Sequence, residues 1–104
     1  GRSKDMIISG GLNVHPKEIE VLIDKVEGVL ESAVVGLSDA DLGERVVAII
    51  VPKEGSEIDA IEVISLIKEK LAGFKVPKEV KFIDQLPRNA MGKVQKNILR
   101  ETFT

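Results

Sequence analysis

Two β-branched runs, SAVVGL at 32–37 and RVVAIIV at 45–51, stand on either side of the link SDADLGE. Nothing else in the chain restricts its fold as strongly. Val and Ile are stiff at χ1 and pack well on a pleated surface, so such runs favour strands. Their nearly unbroken apolar character fits strands covered on both faces. The Asp- and Gly-containing link is turn-rich, so the pair predicts neighbouring antiparallel strands. With three Phe and no Trp or Tyr in 104 residues, Val, Ile and Leu must build the core.

The flanking segments supply the partners for those strands. MIISGGLNV (6–14) places apolar residues around Gly10-Gly11 and predicts a short hairpin, since a Gly-Gly pair takes positive φ without steric cost. Pro16 suits a first helical turn, and Ile19, Leu22, Ile23 and Val26 follow at i, i+3, i+4 and i+7, with Gly28 as the stop. Asp59 and Glu62 resemble a capping box ahead of the stripe Ala60, Val63, Ile64, Ile67 and Leu71, with Gly73 as its end. KEVKFID (78–84) predicts a half-buried strand, with Val80 and Phe82 alternating with Lys81, and NILRETF (97–103) a terminal helix. The predicted fold class is α+β: a small antiparallel sheet of about three strands flanked by helices, with an N-terminal short hairpin.

Composition narrows the function classes. A chain with 43% hydrophobic and 31% charged residues is that of a globular protein. It has no cysteine, which excludes disulfides and thiolate metal sites and suits a reducing cytoplasm. No apolar run approaches the roughly 20 residues of a membrane span. The opening GRSKD has the look of a cut from a longer chain. Residues 1–67 carry 6 basic and 13 acidic side chains, whereas 68–104 carry 9 and 4. The C-terminal third is therefore a candidate anion-facing region, with a solvated lysine face as the plainer reading. Nucleic acid fits poorly, because stacking aromatics and a broad basic surface are missing.

PRNAMGKVQK (87–96) sets a glycine before a lysine in a loop-like stretch, as phosphate-binding loops do. It is not a Walker loop. Pro87 stands where the first glycine belongs, and Val94 follows Lys93 where Mg²⁺ needs a hydroxyl ligand. The single histidine, His15, has neither a cysteine nor a second histidine to share a zinc ion, and suits the start of a helix. The serines lack a nucleophile-elbow setting. Asp39 and Asp41, in a Gly-containing link, fit turn formers better than a catalytic pair. On residues alone, Lys93 stays open between an anion contact and a solvated lysine.

Four stretches together resemble the C-terminal domain of the adenylate-forming enzymes, which comprise acyl-CoA synthetases, adenylation domains of peptide synthetases and luciferases. GRSKDMIISGGLNVHPKEIE is similar to the family's hinge segment, a G-R-x-x-D-x-I run followed by a glycine turn and E-I-E. VVGLSDADLGERVVAIIV is similar to the V-x-G-x-x-D-x-x-x-G-E strand pair. LAGFKVPKEVKFIDQLPRNAMGKVQK is similar to the [YF]-K-x-P-x-x-V strand and then the L-P-[RK]-[NT]-x-x-G-K-V loop. The likeness covers essentially the whole chain, in the family's order.

The resemblance implies a lid over a larger N-terminal domain, with residues 1–4 as hinge segment and 5–104 as the lid. It implies two half-reactions: a carboxylate and ATP give an acyl-adenylate and pyrophosphate, and the thiol of CoA then takes the acyl group. Mg²⁺ is expected mainly on the N-terminal domain. Lys93 matches the catalytic lysine of the first step, and Gly92 would leave space beside the nucleotide. Arg2 matches an arginine that approaches the ribose and phosphate of ATP, and Lys4 the hinge position. Gly10 and Gly11 match the turn lining the pantetheine tunnel. Glu18 and Glu20 belong to the signature, and both read as structural, a helix N-terminal charge and surface. Lys68, Lys70 and Lys75 are fixed by no family motif and read as solvated. Among relatives, LPRNAMGKVQKNILRETF looks most like malonyl-CoA synthetases, with fatty-acyl or aryl-CoA ligases as the alternative. Gln95 stands where peptide synthetases and luciferases often have Asp. The resemblance also marks Lys93 as a target of lysine acetyltransferases and deacetylases. A reading of another class is a stand-alone, non-catalytic binding module, which an upstream segment bearing a Ser/Thr/Gly-rich phosphate loop would exclude.

Overall fold

The two long runs do form the centre of the sheet. In the computed structural model, which describes residues 5–104, β3 (Val29–Asp39) and β4 (Gly43–Pro52) pair antiparallel along almost their whole length. Asp39 makes the turn between them, its Oδ1 accepting from the Asp41 and Leu42 amides at 2.9 Å each. The turn-forming reading of that aspartate holds.

Alternation along the two strands sends their side chains into two separate cores. Val34, Val46, Ala48 and Ile50 pack with Ile19 and Ile23 of α1 (Pro16–Ile23) and with Val63 and Ile67 of α2 (Ala60–Lys70). Ala33, Val35, Leu37, Val47, Ile49 and Val51 face the other way, against Leu86 and Leu99 of α3 (Lys96–Thr102). Burial on both faces explains why the strands read as unbroken apolar runs.

The hairpin joins this sheet. β1 (Ile7–Ser9) and β2 (Leu12–Val14) pair through a two-residue turn in which Gly10 and Gly11 take φ of 59° and 81°. Positive φ at both positions is the geometry whose twist matches a hairpin. β1 docks on β4 by the pair Ser9 with Gly43, by Gly10 N–H to Leu42 O at 2.8 Å, and by Ile8 N–H to Glu44 Oε1 at 2.9 Å. Gly36 makes room for the contact, since a Cβ there would lie 3.0 Å from Ile7 and from Glu44.

Four expectations need correction. Among the described residues the sheet has five strands, the hairpin's two and the three others expected, but β5 (Glu79–Phe82) runs parallel rather than antiparallel to β4, over Val47–Ile50. A parallel neighbour needs a crossover, and α2 supplies it. Val80 packs on the first core as expected, but Phe82, expected on the same covered face, is left 43% exposed. Gly73 does not stop α2: the helix ends at Lys70, Leu71 turns extended with φ −129°, and Gly73 opens a separate 3₁₀ turn. Gly28 likewise lies beyond the end of α1, at φ 94° in the turn that enters β3. Asp59 does cap α2, accepting the Ile61 amide at 2.8 Å.

Candidate functional site

The Gly-Lys stretch folds into a small hairpin of its own. Arg88 and Val94 form an isolated antiparallel bridge, and Gln95 N–H donates to Pro87 O at 2.8 Å. Between them Gly92 N–H donates to Asn89 O at 2.9 Å and Asn89 N–H to Lys93 O at 3.0 Å. That pattern is a tight turn followed by a left-handed residue, and Gly92 is that residue at φ 83°. The Asn89 side chain closes the turn from inside, its Oδ1 accepting from Met91 N–H at 2.9 Å and from Lys93 N–H at 3.0 Å.

Gly92 therefore serves conformation first. Nothing lies within 4 Å of where its Cβ would be, so open space beside it is not scarce. The turn presents Met91, 91% exposed, at its tip, and the exposed Lys93 on its returning arm. Lys93 is thus an ammonium on a long stem, carried by a short loop whose two arms are joined by backbone hydrogen bonds at its base.

The loop is held to β3. Arg88 Nη1 and Nη2 both bond the carboxylate of Glu31, the first at 3.1 Å, and Arg88 Nε donates to Gly92 O at 3.0 Å. Its bonds to the Arg88 guanidinium hold the Glu31 carboxyl below the usual range. At the far end of the loop, Lys96 Nζ lies 2.7 Å from Glu20 Oε2, which also accepts the Val34 amide at 2.8 Å. Glu20 is therefore not a surface charge: it caps an edge-strand N–H and bridges α1 to the start of α3. Glu18 and Lys75 form a second bridge at 2.8 Å, so Lys75 is paired rather than merely solvated.

The remaining expected site residues lie elsewhere. Gly10 and Gly11 sit beside Leu42, at the turn end of the β3–β4 ribbon, whereas the Lys93 hairpin is tied to Glu31 near its other end. At about 3.3 Å per residue, the stretch from Glu31 to Asp39 spans on the order of 25 Å. The structure brings Lys93 and the glycine turn to opposite ends of the sheet. Arg2 and Lys4 lie outside the described residues. The nearest described neighbour of that segment, Asp5, has a φ of 71° and bonds Arg100 of α3 at 3.2 Å. His15 is exposed at the first position before α1 and makes no capping bond with its side chain. Among the described residues, no group of three or more His, Cys, Asp or Glu gathers as metal ligands would. No described helix is long and apolar enough to cross a membrane.

Sequence reasoning found Lys93 but missed Arg88, Asn89, Glu31 and Lys96. The N-A-M-G spacing carried a turn signal, Asn at the first position and Gly at the fourth. Nothing local announces Glu31, which lies 57 residues from Arg88.

Comparison with known proteins agrees with this geometry. Residues 18–93 match the AMP-binding enzyme C-terminal domain family. An indoleacetate–CoA ligase from Aromatoleum aromaticum is 50% identical over 101 residues, which is 97% of this chain and 20% of that protein. ATP-bound MatB from Rhodopseudomonas palustris superposes with a TM-score of 0.95 at 55% identity, over 99% of this chain and 20% of that one. A Mycobacterium tuberculosis fatty acyl CoA synthetase gives 0.91 at 46% identity, over 98% and 20%. The chain thus spans about a fifth of the length of these relatives. With that span, that fold and a Gly-Lys hairpin at the end of the matched region, the chain belongs to the AMP-binding enzyme C-terminal domain family.

Proposed function

We propose that this chain is the lid of an ATP-dependent, AMP-forming acyl-CoA synthetase, residues 5–104 being the lid and 1–4 the hinge to a larger N-terminal domain. The observation that carries the reading is the Asn89–Lys93 turn, which holds an exposed lysine on a short, internally bonded loop. In the first half-reaction a carboxylate oxygen attacks the α-phosphate of ATP, the acyl-phosphate bond forms, and pyrophosphate leaves with the electron pair. Two anions must meet for this. The Lys93 ammonium offsets their repulsion and stabilises oxygens gaining charge in flight. A compact point charge on a flexible stem suits that task.

Thioester formation then uses another part of the lid. Gly10 and Gly11 line the pantetheine path of CoA in this reading, and a side-chain-free turn lets the backbone approach it closely. The separation of the glycine turn from the Lys93 hairpin supports rotation between the two steps, with Lys4 as hinge. Arg2 approaches the nucleotide. Mg²⁺ travels with ATP and is held by the N-terminal domain, no residue of this chain being assigned to it.

Malonate or methylmalonate is the acid this reading puts first, on the resemblance of Leu86–Phe103 to malonyl-CoA synthetases. The relatives named for indoleacetate and for fatty acyl groups support aryl or fatty acids as the second choice. The reading goes with a cytoplasmic setting and with a lysine acetyltransferase and deacetylase acting at Lys93, since acetylation removes the charge the first step needs.

The test is Lys93→Ala in the full-length enzyme. Adenylate formation, read as pyrophosphate release, should collapse, while transfer from supplied acyl-adenylate to CoA is largely spared. Equal loss in both steps refutes the assignment. The lid alone should form no acyl-CoA, because the acid and adenine sites lie on the other domain.

A further inference from the structure

We infer that Arg88 is a positioning residue for Lys93, acting as a three-point latch between the hairpin and Glu31 of β3. The inference deepens the catalytic reading of Lys93 and rests on it. All three guanidinium nitrogens of Arg88 are engaged: Nε with the carbonyl of Gly92, Nη1 and Nη2 with the two carboxylate oxygens of Glu31. The Gly92 carbonyl belongs to the peptide bond that leads into Lys93. Arg88 therefore grips the backbone next to the catalytic residue and ties it to the sheet.

The strand is shaped to receive that grip. The β3–β4 register slips between Val29 and Glu31, leaving Leu30 as an extra residue, 60% exposed. Such a bulge re-aims the side chains on either side of it. Here Val29 packs into the α1–α2 core, although strict alternation from Ala33 and Val35 would send it to the opposite face. Glu31 keeps the parity of Ala33 and Val35 and lies on the loop side. The bulge thus buries Val29 while leaving Glu31 under Arg88.

The Arg88 side chain is 41% exposed, and a bridge so open adds little to global stability. Its value lies in geometry. A misplacement of about 1 Å in a reacting group costs on the order of a hundred-fold in rate. A lysine, which the family's loop also carries at this position, would make a weaker latch, since an ammonium has no planar fork to serve two carboxylate oxygens and a carbonyl together. Lys96 with Glu20 anchors the other end of the hairpin. The loop is left free only at its tip.

The experiment uses the full-length enzyme with Arg88→Lys, Arg88→Ala, Glu31→Gln and Lys93→Ala. Adenylate formation should fall roughly ten- to a hundred-fold in Arg88→Ala and by less in Arg88→Lys, which keeps the charge but not the fork. Thioester formation from supplied adenylate and the KM for ATP should stay within about two-fold. Hydrogen exchange of the peptide spanning 87–95, read by mass spectrometry, should quicken in the Arg88 and Glu31 variants while the core strands keep their protection. Exchange at 87–95 equal to wild type overturns the latch, as does Arg88→Ala with wild-type adenylation while Lys93→Ala is inactive. If Lys93→Ala keeps its adenylation but Arg88→Ala still loosens the loop, the catalytic reading of Lys93 fails and the latch stands as the hold on the hairpin.

Discussion

Asn89 and Lys93 are bonded to each other twice, Asn89 N–H donating to Lys93 O and Lys93 N–H donating to Asn89 Oδ1, each at 3.0 Å. The second bond depends on a side chain that also takes the Met91 amide. Asn89→Ala removes both side-chain bonds and frees the two amides to water. Each such bond contributes about 1 kcal/mol net, so the loop loses order while the two cores do not. In the full-length enzyme adenylation should slow and the thermal midpoint should barely move. A variant with wild-type adenylation would show that the turn needs no help from Asn89.

Gly11→Ala and Gly73→Ala should behave oppositely, although a Cβ at either position would meet nothing within 4 Å. Gly11 has a φ of 81°, where an L side chain costs roughly 1–2 kcal/mol. Gly73 opens a 3₁₀ turn and is not among the positive-φ glycines, so alanine there should be neutral or slightly stabilising by reducing the freedom of the unfolded chain. Urea unfolding checks both. In the full-length enzyme Gly11→Ala should also slow thioester formation more than adenylation, which separates the pantetheine role from a plain turn.

Ile49 and Ile50 are neighbours in β4 that serve different cores, Ile49 against Leu99 and Leu86, Ile50 against α1 and α2. Both are fully buried, so either change to alanine should cost about 2–5 kcal/mol. Ile61 on α2 is 74% exposed, and its change to alanine should stay within about 0.5 kcal/mol. A tolerant Ile49 or Ile50 would mean that one face of the sheet is loosely covered.

Those two isoleucines also show why so much of the fold is legible in the sequence. Their runs are local, β-branched and long, and a strand buried on both faces leaves a signal that needs no partner to read. The direction of β5 is different. Whether Glu79–Phe82 runs with or against β4 depends on the path of α2, which no residue in the strand encodes. Gly73 is the only conspicuous stop signal after α2, yet the helix ends at Lys70, and Leu71 leaves it without any special residue. The site divides in the same way. Lys93 stands out through Gly92 beside it, but its hold on the sheet runs through Glu31 and Glu20, which are close only after folding.

The acid sensitivity of the fold should come from Glu31 and Glu79. Bonds from Arg88 and from Arg45, the latter at 2.6 Å, hold both carboxyls below their ordinary value of 4.5. A carboxyl whose folded pKa is depressed binds its proton more readily in the unfolded chain. Its contribution is therefore fully present above about pH 4.5 and is lost as pH falls through the lower folded value. Both bridges are partly exposed, with the Glu31 and Glu79 side chains at 24% and 35%, so solvent screens them and each effect is modest. The urea midpoint should stay flat from neutral pH to about 5 as far as these groups are concerned, then decline. Glu31→Gln and Glu79→Gln together should make that decline shallower. A double variant with the wild-type acid slope would assign the sensitivity to other carboxylates, and Asp39, held low by the Leu42 and Asp41 amides, would be the next to replace.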